Sequence, residues 1–154
     1  MANYYSQGRT NYFRVKDGEK FEQEINELQD GVANGIGVVK KDDKYALLFE
    51  DGAPTFYYNE ETGEERDVDM EGFIRENLAD GSVCIMQEIG AEKLRFLDGW
   101  SIAFNNKGDR KVILLDDIYE GIESFGECTQ CEYWYGLTDN CDVGFGLVVL
   151  LETS

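Results

Sequence analysis

Several groups of side chains in this sequence have the types and spacing that chemistry requires. The first is the acidic run NEETGEERDVDME, in which Glu60, Glu61, Glu64, Glu65, Asp67, Asp69 and Glu71 stand against Arg66 alone. Carboxylates so crowded repel one another. The run must therefore hold a cation, share a proton between two members, or present charge to a positive partner. Asp67, Asp69, Glu71 and Gly72 copy the opening of a D-x-D-x-D-G calcium loop, but the position of its bidentate glutamate is Leu78. A carboxylate pair working as acid and base needs one member in an apolar setting that raises its pKa, whereas this run is polar throughout. The reading favoured is a solvated, ionised face.

The second group is the cysteines. Cys128 and Cys131 form a Cys-x-x-Cys pair, with Cys141 following and Cys84 distant. Four thiolates in tetrahedral reach hold zinc, but here the second pair would have to be assembled from Cys141 and Cys84. The plainer reading packs Cys84 in a strand core and leaves the others as thiols of an aromatic-rich hairpin. No cofactor is expected, with zinc at Cys84, Cys128, Cys131 and Cys141 the alternative. The chain has no histidine, which removes the usual general base and every Ser-His or Cys-His nucleophile. An enzyme is not expected.

The third group is a row. Asp116, Glu120, Glu123 and Glu127 recur at steps of four, three and four, so on a helix they would share one face, with Cβ atoms about 5–6 Å apart. That spacing imitates the phosphate line of a nucleic acid, one charge per roughly 3.4 Å on each strand. Glu19, Glu24 and Glu27 add carboxylates on an earlier segment. Aromatic residues beside acids, in NYY (3–5), FYY (56–58) and YWY (133–135), suit a protein–protein contact with an acidic rim.

The whole chain agrees with this emphasis. Its 154 residues include 32 Asp and Glu against 14 Lys and Arg, a formal net charge of −18, well beyond the roughly 2–8 units usual for a small soluble domain. Such self-repulsion opposes compaction, so solubility or a cationic partner must maintain it. Direct binding to nucleic acid or to an anionic membrane is disfavoured. The first residues show no signal-peptide pattern, and the longest apolar run, FGLVVLL, is too short to span a bilayer. A cytoplasmic, reducing location is expected.

The elements that would carry these groups alternate. Asn11–Val15 reads as a strand, and Asp17 caps a helix with Phe21, Ile25 and Leu28 on one face. Strands follow at 35–39, 45–50 and 55–59, then a polar turn, then an Asp69-capped helix ended by Gly81. Further strands are expected at 82–89, 93–99, 100–105 and 111–115, and a third helix from Asp116. KYALLFEDG (44–52) matches EKLRFLDG (92–99), and 55–74 matches 101–122 with a small gap. The expected fold is α+β: tandem α-β-β-β units with antiparallel sheets over 17–68 and 69–115. A partial third unit, 116–154, would end in a closing C-terminal hairpin, CEYWYGL with GFGLVVLLE. One chain, 1–154, would hold all of it without a linker.

The stretches RTNYFRVKD (9–17), GAEKLRFLDGWSIAFNNKGD (90–109) and LDDIYE (115–120) resemble parts of small acidic proteins encoded by phages, plasmids and other mobile elements. In architecture the chain is similar to acidic antirestriction proteins that mimic DNA, by analogy rather than alignment. What these resemblances and the charge imply together is a non-enzymatic inhibitor of a DNA-binding defence system, anti-CRISPR or antirestriction. It would block the DNA-binding groove through Glu60, Glu61, Glu64, Glu65, Asp67, Asp69, Asp116, Glu120, Glu123 and Glu127. The partner would be a basic DNA- or RNA-binding host protein. The alternative is an acidic interaction module that binds through its aromatic and C-terminal hairpin surfaces, and the least favoured reading is a zinc-stabilised enzyme.

Overall fold

A computed structural model of the chain describes residues 5–33, 35–92 and 96–129. The strands are β1 (Tyr5–Thr10), β2 (Phe13–Arg14), β3 (Ile36–Lys41), β4 (Lys44–Glu50), β5 (Phe56–Tyr58), β6 (Glu65–Asp67), β7 (Cys84–Glu92), β8 (Phe96–Phe104) and β9 (Arg110–Leu114). The α-helices are α1 (Gly18–Gln29) and α2 (Met70–Asn77). Every strand pairing among the described residues is antiparallel, so the fold is α+β.

The main sheet runs β3-β4-β1-β7-β8-β9, with β2 continuing the line of β1 against β4. Both helices pack on one face of it. Asp17 starts α1 by accepting a hydrogen bond from the Lys20 amide, and Asp69 starts α2 by accepting one from Gly72, each satisfying a donor the first turn leaves open. Phe21, Ile25 and Leu28 recur at helical spacing and are buried. With Met70 and Ile74 of α2 they meet Phe13, Tyr45, Leu47, Phe49, Cys84, Met86 and Phe104 of the sheet. Phe21 sits edge-on to Phe13 and Tyr45 and stacks on Phe73. Buried Thr10 accepts from the Leu47 amide where β1 gives way to β2, and Asn11 bonds both Val83 and Ile85.

The sequence-based reading needs several corrections. Polar YSQGRT forms the inner strand β1, which was not expected. The segments 93–99 and 100–105, expected as two strands, form the single strand β8. Helix α2 stops at Asn77 rather than continuing to Gly81, because Leu78 is taken up by a bridge to Val15. The third helix does not form. In its place stand two 3-10 turns, Leu115–Tyr119 and Glu123–Phe125, separated by Gly121 at φ +79°. A left-handed glycine interrupts an α-helix. The C-terminal hairpin expected at 131–152 lies outside the described residues. In the unit 17–68, β5 leaves the main sheet for a two-stranded ribbon with β6, whereas β7, β8 and β9 of the unit 69–115 are consecutive neighbours.

Candidate functional site

The ribbon positions the acidic run. Its turn is organised by Asn59, whose Oδ1 accepts from the Glu61 and Thr62 amides while its own amide donates to the Glu64 carbonyl. Glu60, Glu61 and Glu64 therefore project from a fixed tip, all exposed. Glu64 pairs with Arg66 at 3.6 Å, both half exposed, so the contact adds little stability. Tyr57 is opposite Arg66 and buries its ring under the guanidinium, 4.7 Å from its centroid. On the other face of the ribbon the cross-strand pairs are Phe56 with Asp67 and Tyr58 with Glu65, and all four are exposed. The tip thus alternates aromatic rings with carboxylates.

Beside the ribbon lies a groove of about 430 Å³ between α1, β6 and α2. Glu24 and Glu27 line it from α1, Asp67 and Asp69 from the ribbon side, and Glu76 from α2, with Arg66 the cation among them. Glu24 is held from two sides: Asn77, a buried amide, donates to its Oε2 at 3.0 Å, and Lys20 lies 3.6 Å from its Oε1. Asn77 also donates to the Phe73 carbonyl, so one side chain ties α2 to α1. Asp69 has a structural duty as well as its place in the groove. An added Cβ at Gly72 would stand 2.5 Å from its carboxylate, so the glycine lets the cap close.

The structure brings Asp67 and Asp69 together with Glu24 and Glu27, which the sequence assigns to different elements. Glu76 was missed. It lies at four residues from Gly72 and seven from Asp69, a helical spacing that could have found it. The row Asp116, Glu120, Glu123 and Glu127 is exposed but is not a row. With two 3-10 turns and Gly121 in between, steps of four, three and four do not place these residues on one face. Asp117 of this segment, also exposed, accepts from the Leu114 amide at 2.7 Å and so closes the first 3-10 turn locally.

Three further groups of side chains lie outside the groove. Glu71, the last carboxylate of the acidic run, faces away from the groove: it accepts from Arg75 at 2.6 Å and from Arg110 at 2.8 and 3.2 Å. Cys84 is buried on the helix side of β7, and burial, aided by the Glu71 carboxylate, pushes its thiol up to about 12. A neutral core thiol is what the plainer reading of the cysteines implies. Cys128 is exposed, while Cys131 and Cys141 lie outside the described residues, as do Tyr133, Trp134 and Tyr135. No group of three or more Cys, Asp or Glu with metal-binding geometry exists among the described residues. On α1, Glu22 accepts from the Tyr45 hydroxyl at 2.5 Å and from Lys40 at 3.0 Å. These two contacts hold its carboxyl below the usual range.

The opposite face of the sheet differs in character. Alternation along the strands places Leu48, Ile85, Ile89, Leu97 and Ile113 on it, with Leu115 of the following 3-10 turn beside Gly99, all more than a third exposed. The charges on this face are Arg9, Arg14, Lys41, Lys44 and Lys111 against Glu50. An open cleft of about 800 Å³ runs along it past Gln7, Arg9, Leu48, Glu50, Gln87 and Ile89. No helix among the described residues is long and apolar enough to cross a membrane. Comparison of the chain with protein-family models, with curated proteins and with solved structures finds no match.

Proposed function

We propose that this chain is a non-enzymatic acidic inhibitor that occupies the DNA-binding groove of a host defence protein, a CRISPR effector or a restriction complex, by presenting carboxylates in place of phosphates. The observation that carries the reading is the convergence of Glu24, Glu27, Asp67, Asp69 and Glu76 on one groove, continued by Glu60, Glu61, Glu64 and Glu65 on the ribbon. Charged surfaces usually mix signs. Here separate elements contribute the same sign to one side of the molecule, against Arg66 and Lys20. Lys and Arg that normally neutralise phosphates would pair with this surface and exclude DNA. Encounter would be steered by charge and weaken as salt rises. The exposed residues Asp116, Glu120, Glu123 and Glu127 would add to the field without forming a row.

The partner is then a basic DNA- or RNA-binding protein in the cytoplasm of a cell that carries such a system, and the gene would travel on a phage, plasmid or other mobile element. The two matched stretches are read as degenerate copies of an α-β-β-β unit. In support, the units that contain them, 17–68 and 69–115, each begin at an Asp-capped helix, Asp17 or Asp69, and continue into antiparallel strands.

The test is a tagged pull-down from lysates of cells carrying restriction and CRISPR systems, eluted with a salt gradient. The wild-type chain should retain a DNA-binding complex that moderate salt or competing duplex DNA releases. The variant Glu27→Lys, Asp67→Lys, Glu76→Lys changes exposed groove carboxylates and leaves both helix caps in place, so it should fold and lose the complex. A folded variant that retains it at the same salt midpoint would end the proposal. A second reading has its own support in the half-exposed rings of Phe56 and Tyr58. If they form the contact, Phe56→Ala with Tyr58→Ala abolishes retention and the charge reversals do not.

A further inference from the structure

Strand β9 ends the main sheet among the described residues, and its outer edge is unguarded. Sheet edges are usually protected by lysines or by engaging their backbone groups. The opposite edge, β3, has both: Gln29 donates to the Ile36 carbonyl at 2.6 Å, and the strand ends in Lys40 and Lys41. β9 instead leads through Val112, Ile113 and Leu114 into Leu115, an unbroken apolar run. Such runs belong to strands covered on both faces, yet all four residues are exposed.

Two hydrogen bonds fix which backbone groups of β9 point outward. The Asn105 amide donates to the Asp109 carbonyl at 3.3 Å, which makes these two a hydrogen-bonded pair at the hairpin end. Bonded and non-bonded pairs alternate along an antiparallel ladder, so Lys111 and Ile113 bond β8, and Arg110, Val112 and Leu114 do not. The Leu114 amide agrees, since it donates to Asp117 at 2.7 Å instead of across the ladder. The amides and carbonyls of Arg110 and Val112 therefore face away from the sheet.

We infer that this edge pairs with the same edge of a second copy, antiparallel about a two-fold axis through Val112, so that two sheets become one. A contact of this kind uses the same patch on both chains and closes on itself. Val112 exchanges backbone bonds with its own copy, and each Arg110 amide donates to the carbonyl of the partner's Leu114. On the open face, Lys111 stands opposite the partner's Ile113. Charge selects this occupant. β9 is entered through Lys107, Arg110 and Lys111 and left through Asp116, Asp117 and Glu120, all exposed. Antiparallel pairing lays the cationic end of each strand beside the acidic end of the other. The contact is thus balanced locally although each chain carries −18, and at 0.15 M salt charges farther apart than about 8 Å are largely screened. The neighbouring registers are worse. One sets Lys111 directly against its own copy, a destabilising pair. The other sets Val112 against Leu114, whose amide Asp117 already holds. Because the axis stands along the sheet normal, the acidic grooves of both copies face the same side. The inference does not depend on the proposed function.

The test uses the full chain. Sedimentation velocity at physiological ionic strength should show a species of twice the 17.5 kDa chain mass, in concentration-dependent exchange with monomer. The Val112 amide should become protected from hydrogen exchange as that species forms. Ile113→Lys and Ile113→Glu then test the register. Ile113 is 52% exposed on the open face, so both variants should keep the wild-type circular dichroism. Net charge alone predicts that the lysine variant associates better. The register predicts the reverse: a lysine opposite the partner's Lys111 should leave the dimer roughly tenfold or more weaker than a glutamate there. A chain that stays monomeric at the concentrations of an NMR sample overturns the inference, and a monomer with a protected Val112 amide assigns the edge to another part of the same chain. A dimer as tight in Ile113→Lys as in Ile113→Glu, or tighter, overturns it as well.

Discussion

Replacing Glu71 should destabilise the protein although it removes one charge from a strongly anionic chain. Glu71 is 18% exposed and joins two arginines from different elements: Arg75 on its own helix and Arg110 at the start of β9. Arg110 is about half exposed, so its pair with Glu71 is screened by solvent and adds little. Arg75 is 32% exposed, its ring-facing guanidinium lies 5.3 Å from the Phe104 centroid, and its Nε is buried with no partner. A charge-assisted bond in such a place contributes about 1.5 kcal/mol net, and stranding the partner adds to the loss. Glu71→Ala should therefore cost about 2 kcal/mol, or roughly 4–8 °C in midpoint for a chain of this length. The gain from relieved repulsion is separable by Glu76→Ala, which removes an exposed charge from the same helix and should change stability by less than about 0.5 kcal/mol. Urea unfolding followed by circular dichroism measures both. In the double variant Glu71→Ala, Arg110→Ala, the arginine change should add almost nothing further, because its partner is already gone. A Glu71→Ala protein within about 0.5 kcal/mol of wild type would refute the assignment of Glu71 as the clamp between α2 and β9.

Two further outcomes are expected. Gly31→Ala should destabilise by about 1–3 kcal/mol, because the added Cβ would stand 2.2 Å from the Tyr57 ring that seats the ribbon; an unchanged urea midpoint would show that the ring yields freely. For Glu22, the Tyr45 hydroxyl first and Lys40 second depress the carboxyl, so the stabilisation from this contact is present above the ordinary glutamate value of about 4.3. It is lost as pH falls through the lower folded value. Tyr45→Phe should raise the Glu22 midpoint in an NMR titration, and an unmoved midpoint would assign the shift elsewhere.

What was legible in the sequence was local. Asp17 and the spacing of Phe21, Ile25 and Leu28 located α1, and Asp69 located the start of α2, since a cap and a buried stripe are written within a few neighbouring residues. What was illegible depended on distant partners. The end of α2 is set by Val15 and Arg14, whose backbones engage Leu78 and Ala79. β1 reads as polar because it is built of Ser6, Gln7, Arg9 and Thr10; its place inside the sheet depends on Gly8, where a Cβ would come within 3.1 Å of the Gln87 carbonyl oxygen and 3.2 Å of Phe49, an approach no spacing rule reveals. Gly99 inside β8 read as a boundary because glycine more often ends a strand than crosses one. The acidic groove was half legible. Its residues were visible as charges, but their meeting required β6 to fold back between α1 and α2.

The separation of charge across the molecule bears on how it could bind. Carboxylates gather on the side of the helices and ribbon, while Arg9, Lys41, Lys44 and Lys111 lie on the open sheet face. Uncovered, that face would repel the Lys- and Arg-lined channel that the acidic side is proposed to enter. It would also attract the acidic side of another copy, a head-to-tail contact that does not close and leads to chains of molecules.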